Sequence, residues 1–169
     1  GLYTGIERAT VMGAECIQIF GASPRQWAAP LPSKESVERF KKAFKASAVK
    51  AVYLHAPYLN NLASTDNEMI QKSIANLSAH LKIAEMIGAS GVVFHVGSGK
   101  EAPENESMGR AIAAMKIILK NTPGETQLIV ENAAGGGAKL VDNPKEVAAL
   151  VHGVGSPRMK ACLDTAHAF

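Results

Sequence analysis

Five residues able to bind a metal lie at or just past the ends of short apolar runs: His55, His95, Glu131, Asp164 and His167. The runs are AVYLH, GVVFH, QLIVE and ACLD, and His167 follows Asp164 by three residues. Imidazole plus carboxylate is a donor mixture that suits zinc or manganese, with no need for a thiolate. A lone strand-end histidine carries little weight, because most such residues are simply hydrogen-bonded. The set carries the argument. Three of the five histidines fall at strand ends, whereas His80 and His152 fall inside helices and read as surface or packing residues. A bare Glu131 closing QLIVE would be costly to bury without a cation. One carboxylate can also bridge two ions, as in paired-metal hydrolases.

The elements that must position these residues alternate along the chain. A helix over Thr4–Gly13 precedes a strand at Cys16–Phe20, and Ser33 reads as the N-cap of a helix bearing Val37, Phe40 and Phe44 on one face. Strand Ala51–His55 follows. Thr65 and Glu68 read as a capping box ahead of a long helix with the stripe Ile70, Ile74, Leu77, Leu81 and Ala84, stopped by Gly88. Strand Gly91–His95 is continuously apolar, as strands covered on both faces are. Met108, Ile112, Met115 and Leu119 mark the next helix, Gln127–Glu131 the next strand, and Asn143 caps a helix that opens on Pro144. The last strand is Met159–Leu163. Parallel strands joined by helices gather their carboxyl ends on one face. In an open sheet a site forms at one switch point, whereas every strand end of a closed barrel rims the same pocket. Ligands on consecutive strands therefore favour an α/β fold of the (β/α)8 TIM-barrel type.

The loops at that face add a second group. Arg25, Gln26 and Trp27 follow the first strand, and Tyr58 and Leu59 follow His55. The bland reading is a structural Trp, a solvated Arg and a Tyr packed on the rim. The functional reading is a nucleic-acid surface, with Arg on phosphate and Tyr and Leu wedged into the base stack. Gly135-Gly136-Gly137 lacks the spacing of a P-loop or dinucleotide fingerprint and reads as a flexible loop. Ser23 and Ser98 have no assignable His–Asp relay, and no CxxC pair or nucleophile elbow is present.

Composition sets wide bounds. The 169 residues are 47% hydrophobic and 20% charged, enough for one domain over residues 1–169 with a real core. A net charge of +3 is too weak to argue for a polyanionic partner by itself. Cys16 and Cys162 fall inside strands and are expected as buried free thiols, fitting a reducing, cytoplasmic compartment. No run is long enough to span a membrane, and no secretory signal is visible. The start without Met and the stop at Phe169, just after two candidate ligands, make both ends look cut.

Taken in order, GLYTGIERA, RQW, LHAPYLNNLAS, FHVGS, VENAAGGG and CLDTAHAF resemble the endonuclease IV family, the zinc-dependent apurinic/apyrimidinic (AP) endonucleases of base-excision repair. The resemblance covers essentially the whole chain. It implies strands two to six of an eight-stranded barrel, without the first strand and the last two. It implies three zinc ions in the intact protein, with manganese an option at one of them. His55 and His95 match ligands of one zinc, Glu131 the carboxylate bridging it to a second, Asp164 a ligand of the second and His167 a ligand of the third. Arg25, Gln26, Tyr58 and Leu59 match positions that enter damaged DNA. The expected activity is hydrolysis of the phosphodiester 5′ of an abasic site in double-stranded DNA, by a monomer, with Glu131 catalytic. Two alternatives stay open: a metal-dependent sugar isomerase or epimerase of the same superfamily, and a non-catalytic DNA-lesion binder.

Overall fold

The structure, a computed structural model, describes residues 1–100 and 102–168; Phe169, the last residue of the CLDTAHAF motif, lies outside the described residues. Five helices alternate with five strands: α1 (Tyr3–Met12), β1 (Cys16–Phe20), α2 (Lys34–Lys45), β2 (Ala51–His55), α3 (Asn67–Ile87), β3 (Gly91–Phe94), α4 (Glu104–Asn121), β4 (Gln127–Glu131), α5 (Pro144–Val154) and β5 (Met159–Cys162). The strands form one parallel sheet in the order β1-β2-β3-β4-β5. An order that never reverses, with right-handed crossovers, puts every helix on the same side of the sheet. That is the arc of a barrel and not a doubly wound sheet.

Side chains alternate across each strand. Val52, Leu54, Val92, Phe94, Leu128 and Val130 are fully buried and form the floor of the core. Leu54, Val92 and Leu128 share one register row across the sheet. Phe20, His55, Val93 and Ile129 share a row on the opposite face, which would line a barrel's interior. That face is open at its margins: Phe20 is 39% exposed, and Lys160, in register with Ile129, is exposed too.

Local signals explain most helix ends. Ser33 caps α2 by accepting from the Ser36 amide, Asn143 caps α5 by accepting from Lys145 and Glu146, and Gly88 ends α3 at φ +77°. At α3 the cap is Asp66, accepting from the Glu68 amide at 2.8 Å, and not the expected Thr65. A carboxylate at that point also meets the positive end of the helix dipole. The buried face of α4 is Ser107, Ala111, Ala114, Met115 and Ile118, with Met108, Ile112 and Leu119 only flanking it. Small residues let α4 lie close to its neighbours. Cys16 corrects the expectation of two buried thiols: β1 is an edge strand and Cys16 is exposed, while Cys162 is half-buried. Among the described residues no helix is long and apolar enough to cross a membrane.

Candidate metal centre

The five strand-end residues converge. Ligand atoms of His55, His95 and Glu131 lie within 4.8 Å of one another, and so do those of Glu131, Asp164 and His167. Glu131 belongs to both groups and is buried at 7% exposure. Its two oxygens divide between them. Oε2 lies 3.1 Å from His55 Nε2 and 3.6 Å from His95 Nε2, and Oε1 lies 3.6 Å from His167 Nδ1. His167 Nε2 is 3.6 Å from Asp164 Oδ2.

Backbone carbonyls set the histidine tautomers. His55 Nδ1–H donates to the carbonyl of Ala56 at 2.6 Å, and His167 Nδ1–H donates to that of Asn132 at 2.9 Å. A carbonyl can only accept, so in the neutral imidazole each Nε2 carries the lone pair. At His55 that lone pair faces a carboxylate oxygen, two acceptors directed at one another. A cation between them resolves the conflict, and a carbonyl on the far ring nitrogen is what metal-binding histidines ordinarily have.

The titration behaviour fits the same use. Burial pushes His95 below the usual imidazole range, although the Glu131 charge opposes it. Asp164 is held below the usual carboxylate range by the amide of His167, aided by that of Ala166. A neutral imidazole and an ionised carboxylate are the forms that bind metal. Burial raises the Cys162 thiol, with Glu131 and Asp164 adding to the effect, so sulfur stays protonated beside the cluster.

The loops are stitched in sequence. Leu62 N–H donates to the Val96 carbonyl at 2.8 Å, and Asn61 brackets Ser98 by accepting from its amide and donating to its carbonyl. Gly97, at φ +105°, makes this possible, since a Cβ there would collide with the side chain of Asn61. Tyr58 stacks over His95 at 5.7 Å between ring centroids and 21° between planes, yet stays 67% exposed. Tyr58 and Leu59 line a cavity of about 570 Å³ that reaches His95 and His167. A smaller one of about 270 Å³ holds the ligand set itself. Arg25 and Gln26 are exposed on the loop after β1 and line neither cavity. His80 is fully buried and His152 exposed, one for each half of the expectation.

Sequence reasoning misses Asn132. Its Oδ1 accepts from the Asp164 amide at 2.6 Å and its Nδ2 donates to the Asp164 carbonyl at 3.1 Å. The side chain thus extends the β4–β5 ladder past the strand ends to the second ligand group. Its one sequence signal is a polar residue directly after a strand-terminal Glu.

A sequence model of the family described as xylose isomerase-like TIM barrel matches residues 6–169. The chain is 37% identical over 170 residues to endonuclease 4 of Thermus thermophilus, covering all of this chain and 59% of that protein. It is 32% identical to the probable endonuclease 4 of Halothermothrix orenii, covering 61% of it. The chain therefore spans about three fifths of the curated relatives it matches. A solved endonuclease IV, also from Thermus thermophilus, superposes with a TM-score of 0.83 at 33% identity, over all of this chain and 60% of that one. A D-psicose 3-epimerase superposes at 0.80 with 16% identity, over 99% of this chain and 59% of that one, a likeness of fold alone.

Proposed function

The chain belongs to the xylose isomerase-like TIM barrel family (AP endonuclease family 2), and from that premise we propose that it carries the metal centre of an apurinic/apyrimidinic endonuclease. The reaction is hydrolysis of the phosphodiester on the 5′ side of an abasic site in double-stranded DNA, leaving a 3′-hydroxyl and a 5′-deoxyribose phosphate. The observation that carries this reading is the sharing of Glu131 between two ligand groups drawn from four neighbouring strand ends.

His55, His95 and one oxygen of Glu131 would hold one ion. The other oxygen of Glu131 and Asp164 would hold a second, and His167 a third. Three zinc ions are proposed for the intact protein, acting as a monomer, with manganese an option at one site. When bound, such ions supply Lewis-acid polarisation of the phosphate and activation of water near neutral pH. Glu131 would be the catalytic carboxylate, its two oxygens serving both ligand groups. The Ala56 and Asn132 carbonyls keep His55 and His167 in the tautomer that binds. Tyr58 and Leu59, at the mouth of the larger cavity, would wedge into the duplex, with Arg25 and Gln26 against the backbone. Extruding an abasic sugar is easy because no base pair must be broken. An exposed tyrosine at the rim favours a polymer over the small sugar of an epimerase.

Glu131→Gln tests the assignment in the metal-loaded protein. Incision of an abasic duplex is expected to fall at least about 100-fold, the scale of losing one electrostatic stabiliser, while most DNA binding survives. Equal loss of binding and incision would mean that Glu131 holds the fold and not the chemistry.

A further inference from the structure

The two cavities at the strand ends differ in charge. The smaller contains Glu131 and Asp164. The larger has no Asp or Glu among its described lining residues; its ionisable side chains are Tyr58, His95, His167 and Lys139. Lys139 is exposed, takes part in no ion pair among the described residues, and has only the Ala134 carbonyl near its Nζ, at 3.4 Å. Its backbone, by contrast, is fixed. Ser98 and Lys139 form an antiparallel bridge. Gly99 N–H and Ser98 Oγ–H both donate to Ala138, and Leu140 N–H donates to Gly97. Two residues on, Val141 sits at φ +61°, a conformation that β-branched residues rarely adopt. Its amide donates to Glu146 at 2.7 Å and its carbonyl accepts from Ala133 at 3.0 Å, which hold it there. A constrained loop thus presents an ammonium that is unpaired among the described residues, on an otherwise mostly apolar wall.

We infer that Lys139 grips a phosphodiester of the substrate strand next to the one held at the metal centre, an assignment that rests on the DNA-hydrolysing reading above. Lysine serves here as a compact point charge that positions the backbone without reading sequence. Because Lys139 lines the larger cavity and not the smaller, its phosphate is a neighbour of the scissile group.

The test is DNA binding by fluorescence anisotropy across a range of salt. Two labelled duplexes are used, one intact and one with a single tetrahydrofuran abasic analogue, in a Glu131→Gln background so that neither is cut. Lys139→Ala is expected to weaken binding and to flatten log Kd against log[salt] by about 0.9, the loss of one phosphate contact. Lys139→Arg should restore both. Lys45→Ala, in the last turn of α2 at the opposite end of the sheet, makes the same change in net charge and should leave the slope alone. A slope unchanged by Lys139→Ala, or lowered equally by Lys45→Ala, overturns the assignment. If Lys139→Ala lowers the slope but the protein does not favour the abasic duplex, Lys139 stands and the abasic-site reading falls. If the abasic duplex is favoured and the slope does not move, the reading stands and Lys139 falls. Failure to bind either duplex overturns both.

Discussion

Asn132 does for the second ligand group what strand hydrogen bonds do for the first. Its amide side chain pairs with both backbone groups of Asp164, and its carbonyl orients His167. Removing the side chain leaves β4 and β5 paired up to Glu131 and Cys162 but frees the residues beyond. Asn132→Ala is therefore expected to weaken metal binding by about 10–100-fold, the usual effect of losing a residue that orients a ligand. Competition against a chelator of known affinity measures it. Unchanged affinity would mean that the turn after β5 holds Asp164 and His167 unaided. The convergence of the candidate ligands was legible in the sequence, because a polar residue ending an apolar run is conspicuous and parallel strands bring such ends together. Asn132 was not, since its importance lies in pairing with residues 32 positions away, which no local pattern records. Lys139 was hidden for the same reason: only the bridge to Ser98 brings it to the groove.

Helix α3 shows how an element can be read correctly in type and incompletely in role. The expected stripe holds for Ile74, Leu77, Leu81 and Ala84, which are buried, while Ile70 in the first turn is only half-buried; Ser73, Asn76 and His80 are buried as well. A helix covered by the sheet on one side and by loops on another keeps only part of its surface in solvent, here the side of Gln71, Lys72, Ala75, Lys82 and Glu85, so a polar residue alone does not mark the solvated face. These polar groups hold the rim. Asn76 Nδ2 donates to the Trp27 carbonyl at 2.8 Å, Asn60 Nδ2 donates to Asn76 Oδ1 at 3.1 Å, and Asn61 N–H donates to Ser73 Oγ at 2.9 Å. They tie the loop of Arg25 and Gln26, and that of Tyr58 and Leu59, to one rigid helix. His80 sits beneath them, its Nδ1–H donating to Asn76 at 2.9 Å, and burial lowers its pKa. A lowered value means that below the usual imidazole pKa of about 6.5 the unfolded chain binds more protons than the folded one. The stabilisation is complete above that pH and shrinks as pH falls toward the folded-state value. His80→Gln should flatten the fall in unfolding free energy below a pH of about 6.5 by up to about 1.4 kcal/mol per pH unit in metal-free protein. Chemical denaturation at several pH values reads this directly. Parallel curves for the two proteins would place the titration elsewhere.

At the scale of the whole molecule, a sheet whose order follows the chain puts the helices outside and leaves an inner face whose upper rim is the site. Consecutive strand-end ligands are enough to predict that arc from sequence, because a doubly wound sheet would have scattered them to both sides of a switch point. The inner face ends at two open edges, as five of eight barrel strands imply: Phe20 and Lys160 stand exposed where β1 and β5 form the edges. The candidate ligands come from β2, β4 and the segments just after β3 and β5, so an ion bound there would tie together most of the sheet. In the unfolded chain the same residues lie up to 112 positions apart, from His55 to His167, and cannot bind as a set. An ion that binds only the folded state stabilises it by RT ln(1 + [L]/Kd), about 2.7 kcal/mol at a hundredfold excess over Kd. For a chain of this size each kcal/mol moves Tm by about 2–4 °C, so chelation should lower Tm by about 5–10 °C. Glu131→Gln, which removes the carboxylate shared by both ligand groups, should start from a lower Tm with metal present and respond less to the chelator. Calorimetry on metal-loaded and stripped protein decides it. A Tm indifferent to stripping, in a preparation shown to contain bound metal beforehand, would mean that the ions sit on preformed rim loops and do not brace the strands.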